Sequence, residues 1–282
     1  MCIIKCPLVG VALLTLVPLA STPAFAIMRG EVARDPNGLR QSVVRVESST
    51  GELCSGAVIA PDLVLTAAHC VDERASYRVV VIDRRFRQRT VRAVASALHP
   101  AFVHGTTPRT QPGVDLALIK LEQPLGAEFV PLDPRRAGRA GRGEPVKIAG
   151  FGVESEGLKR TARVLRQTQV VSLGSLQVAN RVDVVVDGQR LARTPGAGAC
   201  RGDSGGPIVR GGPGGYQLVG IVSWSSGALA SRQRTACGGL TAVTPVADHA
   251  NWIAARAADL QRLQPVRPAA QGGVNPYDPR YR

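Results

Sequence analysis

The chain has 282 residues, 44% of them hydrophobic, and carries 35 Lys and Arg against 21 Asp and Glu, for a net charge of +14. That length is enough to bury a sizeable core in one large domain or two small ones packed together. Nearly all of the positive charge is arginine, with no aromatic interleaving or nucleic-acid motif beside it, so a specific nucleic-acid partner is not expected.

Residues 1–26 read as a secretion signal. Lys5 gives a positive start, "LVGVALLTLVPLA" is apolar but short and broken by Pro18, and Ala24 and Ala26 form the small-x-small pattern of a cleavage site. No second long apolar run follows, so no transmembrane anchor is expected. Cys2 and Cys6 would leave with the signal. The chain is therefore expected to be exported, to a periplasm or out of the cell, with Ile27 as its first residue.

Short strands follow. "SVVRVE" (42–47), "YRVVVI" (77–82), "DLALIKL" (115–121), "RVDVVV" (181–186) and "YQLVGIVSW" (216–224) are rich in β-branched residues and punctuated by Gly, Pro and Asp. This spacing, without alternating helices, predicts an all-β sandwich or barrel. "PLDPRRAGRAGRG" (131–143) has no apolar period and reads as a linker between two halves. Helical spacing appears only near the end, where Val246, Ala250, Ile253, Ala257 and Leu260 recur. Residues 264–282 hold too many Pro and Gly to pack and read as a flexible tail.

Three motifs carry chemistry: "LTAAHC" (65–70), "DLALIKL" (115–121) and "GDSGGP" (202–207). Each alone is weak, since a histidine after a strand, an aspartate opening one and a Gly-rich turn all have structural uses. Together they supply what acyl transfer by serine needs. Ser204 is the candidate nucleophile, His69 the base that takes its proton, and Asp115 the acid that orients the base. Glycines flanking the serine let the backbone approach a substrate carbonyl, and the N–H groups of Gly202 and Ser204 can face the oxyanion.

In the order His, Asp, Ser, these motifs resemble the chymotrypsin/trypsin family of serine proteases. "CSGAVIAPDLVLTAAHCV" (54–71) is similar to the strand-turn-strand leading to that family's histidine. "KIAGFG" (147–152) resembles the strand opening its second barrel, "LVGIVSW" (218–224) the strand that pairs with substrate, and "NWI" (251–253) its C-terminal helix. The resemblance implies two six-stranded antiparallel Greek-key barrels, the first over about 27–135 and the second over about 144–245, with a helix over about 246–263. It also implies disulfides Cys54–Cys70 and Cys200–Cys237.

By the same resemblance, Gly198 would form the floor of the primary specificity pocket and Ser225 and Gly238 its walls. Such a pocket is neutral and open, which predicts cleavage after large apolar or aromatic residues. Asp187 stands in a nearby loop. Asp203, beside Ser204, would be buried and need a cation, which the family supplies as the ammonium of its mature N-terminus. "IMRG" (27–30) resembles that terminus, with Met28 and Arg29 where Val and Gly are usual. Signal cleavage would then create the activating Ile27 amine directly.

The reading is a monomeric, exported serine endopeptidase acting on protein or peptide substrates, with no cofactor and no metal. Its competitor is an inactive, protease-shaped protein that holds anionic surfaces. The clusters "RRFRQR" (84–89) and "RRAGRAGR" (135–142) are solvated faces on one view and polyanion contacts on the other.

Overall fold

A computed structural model describes residues 27–263 except 36, 158–161, 213–214 and 233–234. The expected signal and tail lie outside the described residues. Among the described residues the chain forms thirteen strands, all paired antiparallel, and one α-helix after the last of them.

The first six-stranded barrel runs β2 (Val43–Ser48), β3 (Leu53–Ala60), β4 (Leu63–Thr66), β7 (Ala117–Leu121), β6 (Gln88–Leu98) and β5 (Tyr77–Ile82), closed by the β5–β2 pair. Branched residues suit a pleated, enclosed surface. Val44, Val46, Val58, Leu65, Val79, Val81, Val91 and Leu118 are accordingly fully buried in its core.

The second barrel comprises β8 (Pro145–Gly150), β9 (Arg166–Gln177), β10 (Arg181–Val186), β13 (Thr241–Pro245), β12 (Gln217–Ser225) and β11 (Pro207–Arg210). It closes through the β8–β9 pair, and the two-residue strand β1 (Glu31–Val32) adds to β9 outside the ring. Val146, Ile148, Val185, Ile208, Val222 and Val243 fill it, together with Ile27. Closure pairs the strands around each ring and leaves few of the open sheet edges that invite aggregation.

The helix α1 (Ala250–Arg262) follows a 3₁₀ turn at Ala247–His249. Its Ile253 and Leu260 are buried and Trp252 and Ala257 half-buried against the core of the first barrel, the face that the helical spacing predicts. Trp252 meets His99, at the end of the first barrel, with ring centroids 4.7 Å apart. The helix thus straps the second half of the chain to the first. Among the described residues, no helix is long and apolar enough to cross a membrane.

Candidate active site

His69 lies in the 3₁₀ turn Ala68–Cys70, just past β4, and Asp115 lies just ahead of β7. Those strands pair with Thr66 opposite Ala117, so the antiparallel register brings the two residues to the same barrel end. Strand β7 begins at Ala117, two residues later than the sequence pattern suggests, which leaves Asp115 free to turn toward the histidine.

Asp115 is fully buried. Its Oδ2 lies 2.9 Å from Nδ1 of His69, and its Oδ1 accepts the His69 backbone N–H at 3.0 Å. The hydroxyl of Ser223 donates to the same Oδ2 at 2.5 Å. Burial alone would push the Asp115 carboxyl up, but His69 and the Ser223 hydroxyl hold it below the ordinary carboxylate value. Burial likewise works to lower the pKa of His69. The Asp115 charge beside it, helped by Glu52 and Asp72, outweighs that and leaves the imidazole above its ordinary value.

Ser204 sits in the loop between β10 and β11. Pairing of Pro207 with Ile221 sets this loop beside the end of β12, which carries Ser223. The Ser204 hydroxyl donates a long 3.4 Å hydrogen bond to the Ser223 carbonyl rather than one to His69. The four residues thus form one chain of contacts, His69 to Asp115 to Ser223 to Ser204.

The loop holding Ser204 is clamped by the first barrel. Ser55 on β3 donates its N–H to the Ser204 carbonyl (2.7 Å) and its hydroxyl to the Gly202 carbonyl (2.9 Å), while accepting the Phe151 N–H (2.9 Å). Gly202 and Gly205 have φ of +93° and +80°, a region that favours glycine. At Gly205 a Cβ would lie 2.1 Å from Oγ1 of Thr66. Among the described residues, the N–H groups of Gly202 and Ser204 find no protein acceptor and remain available to a ligand.

Asp203 is fully buried. Its Oδ1 accepts the Gly152 N–H (2.8 Å) and its Oδ2 the Cys200 N–H (2.9 Å). Burial dominates: those two N–H groups and the more distant Arg166 charge only partly offset it, and the carboxyl is pushed up to about 7. Ile27 is equally buried, in the second barrel's core, with φ of +43°. Met28 pairs with Gly198, its carbonyl accepting the Gly198 N–H at 3.3 Å. The Met28 side chain packs with Val153 against the Cys200–Cys237 bridge.

Both disulfides are formed, Cys54–Cys70 beneath His69 and Cys200–Cys237 beside the Ser204 loop. Cys54, Cys70 and His69 present a chelating cluster on distance alone. Their sulfurs, however, are committed to the disulfide and offer no thiolate.

A cleft of about 490 Å³ opens beside Ser204, lined among others by Arg109, Glu156, Arg201, Trp224, Ser225 and Thr235. Of the three residues assigned to the pocket, Ser225 lines this cleft. Gly198 does not line it and is buried, where an added Cβ would meet Oγ1 of Thr241 at 3.4 Å. Gly238 is buried too and packs on Met28. Asp187 is spent on its own loop, accepting the N–H groups of Ala197 (2.7 Å) and Gln189 (2.9 Å).

Sequence reasoning missed Ser55, Ser223, Arg109 and the Arg201–Glu156 pair, whose atoms lie 2.7 Å apart. Ser223 stood inside the quoted motif "LVGIVSW" but no local pattern marks it as a partner of Asp115. Arg109 and Glu156 belong to loops without any motif.

The fold and this site define a class: a double-barrel protein with a carboxylate-held histidine and a glycine-flanked serine at the barrel junction. The family model described as Trypsin matches residues 27–253. The chain is 28% identical to vitamin K-dependent protein C of Rattus norvegicus over 245 residues, 80% of this chain and 50% of that one. It is 29% identical to lectizyme of Glossina austeni over 219 residues, 72% of this chain and 77% of that one. Among solved structures, neuropsin, a serine protease expressed in the limbic system of mouse brain, superposes with a TM-score of 0.63 at 22% identity, covering 82% of this chain and 100% of that one. The chain belongs to the trypsin family of serine proteases, and it spans half the length of the rat relative.

Proposed function

We propose that the chain is an exported serine endopeptidase that cleaves peptide bonds through an acyl-enzyme. One observation carries this reading: the His69–Asp115–Ser223–Ser204 chain of contacts, with Asp115 buried and gripping both the ring and the backbone of His69. A histidine with Nδ1 held in that way has Nε2 as its basic nitrogen, and here Nε2 lies 3.7 Å from the Cys70 sulfur.

In this mechanism the Ser204 hydroxyl turns from the Ser223 carbonyl toward Nε2 of His69 and attacks the substrate carbonyl carbon. His69 takes the hydroxyl proton and Asp115 stabilises the imidazolium. The Gly202 and Ser204 N–H groups receive the oxyanion. His69 then gives its proton to the leaving amine, and water, activated by the same imidazole, releases the acyl group.

Activation follows from signal removal. The φ of Ile27 is defined by the carbonyl of residue 26, and a β-branched residue in the left-handed region is strained by about 1–3 kcal/mol. Cutting that bond removes the strain and leaves an ammonium next in sequence to Met28, which already pairs with the segment leading to Asp203. The buried carboxyl of Asp203 needs such a cation. Pairing would hold the Ser204 loop in its open-donor form.

A fluorophosphonate label tests the reading. The protein starting at Ile27 should be labelled at Ser204, and Ser204→Ala should lose labelling and about 10⁴-fold or more of turnover. Absence of labelling together with absence of cleavage across a mixed peptide library refutes it.

A further inference from the structure

Resting on Ser204 as the nucleophile, we infer that Arg109 is a specificity-determining residue. It selects substrates with an acidic side chain two residues upstream of the one whose carbonyl is attacked.

Strand β12 has an open edge beside Ser204. On one side β12 pairs with β13 as far as Ser225, opposite Thr241. On its other side pairing with β11 ends at Ile221, and Gly205 and Gly206 bond only as far as Val222. Among the described residues, no strand pairs with Ser223, Trp224 and Ser225 on the side that faces Ser204. An extended peptide can add there as an antiparallel strand. With the attacked residue at the level of Ser223, two further residues at about 3.3 Å each bring the chain to Ser225.

Arg109 waits at that level. Its Nη2 donates to the Ser225 carbonyl at 2.7 Å, and its guanidinium lies over the Trp224 ring, 5.2 Å from the centroid. The side chain is exposed, and no carboxylate lies within ion-pair distance of it among the described residues. The other cation that lines the cleft among the described residues, Arg201, is already paired with Glu156. Among the described residues, the cleft therefore presents one guanidinium free of any carboxylate, with donors left over for one beyond the bond to Ser225.

Its loop is braced from below. Gln111 is fully buried and uses its whole amide. Oε1 accepts the N–H groups of Val103 (3.0 Å) and Gly113 (2.9 Å), while Nε2 donates to the Val103 carbonyl (2.9 Å) and the Thr106 hydroxyl (2.8 Å). A loop held this way presents Arg109 without a large ordering cost on binding.

Matched peptides carrying Glu, Gln or Lys at that position test the inference, read as ratios of kcat/KM within each enzyme. The parent should favour Glu over Gln by about 3- to 10-fold, and the ratio should shrink in high salt. Arg109→Gln should bring the ratio near one, and Arg109→Glu should favour Lys. Binding of the same peptides to Ser204→Ala, followed by fluorescence anisotropy, should show the same order without any chemistry. Equal Glu/Gln ratios in the parent and Arg109→Glu overturn the inference while leaving the nucleophile intact. So does an equal rise on all peptides in Arg109→Gln, which would make Arg109 a plug. A parent that binds the acidic peptide selectively but takes no fluorophosphonate refutes the reading of Ser204 instead.

Discussion

Consider the chain that starts at Ile27 beside one whose amine is blocked by acetylation or by a preceding methionine. In the blocked chain no ammonium can reach Asp203, whose carboxyl is held at about 7 against an ordinary 3.8. Between about pH 4 and pH 7 the folded chain then keeps a proton that the unfolded chain has released, so stability falls as pH rises through that window. The gap is worth about 4 kcal/mol, complete near pH 7 and flat above it. In the free chain the ammonium pairs with the carboxylate. Asp203 falls back toward its ordinary range, and the amine rises above its free value of about 7.7–8. The amine's contribution is fully present below about pH 8 and fades as pH climbs through the raised value. Near pH 7 the free chain should therefore melt higher. At about 2–4 °C per kcal/mol for a domain of this size, the difference is about 8–16 °C. Calorimetric melts from pH 4 to 9 measure it, with peptide cleavage at pH 7.5 in parallel. Identical pH profiles, or equal cleavage by the two chains, refute the pairing of Ile27 with Asp203.

The His69 imidazole must be neutral to act as base, and its pKa lies above the ordinary 6.5, so kcat/KM should fall with acid through a midpoint above that value. Asp115→Asn should move the midpoint down, since burial is then opposed only by the weaker Glu52 and Asp72 charges, and cost about 10⁴ in kcat; a pH–rate profile reads both. Gly205→Ala should cost about 3 kcal/mol or more in urea unfolding, because its Cβ would lie 2.1 Å from Oγ1 of Thr66 and 2.2 Å from the Ser55 carbonyl at a φ of +80°. Gly143→Ala, at a φ of +81° but in open space, should cost only about 1–2 kcal/mol. If the arginine clusters hold polyanions, retention on heparin should be strong at low salt and fall steeply as salt rises. Retention no greater than that of a neutral protein makes them solvated faces.

Much of the fold was legible in the chain itself. Strand residues alternate or run β-branched, turn residues separate them, and "YRVVVI" and "RVDVVV" span β5 and β10 to the residue. Such signals are local: each depends on neighbours a few positions away. The sequence pattern starts β7 two residues early because Leu116 continues the apolar run and Asp115 looks like its opening turn residue, although the backbone joins the sheet only at Ala117.

At the site, the residue types needed for acyl transfer could be picked out from "LTAAHC", "DLALIKL" and "GDSGGP", since catalysis restricts which side chains will serve. Their environment could not. Ser223 reaches Asp115 across 108 positions and Ser55 reaches Gly202 across 147, through barrel register and barrel contact rather than any nearby pattern. The burial of Asp203 depends on glycines at 150 and 152, where an added Cβ would lie 2.3 Å and 2.5 Å from its carboxylate group, a property of packed backbone that no residue announces alone. The same holds for Arg109, one of many arginines in a basic chain. Only the folded loop over Gln111 sets that guanidinium, free of any carboxylate, at the open edge beside Ser204. Residue identity determined which chemistry was available to this chain. Tertiary structure decided which groups lost their water and which kept a free valence toward a substrate, because desolvation and pairing depend on neighbours that only folding supplies.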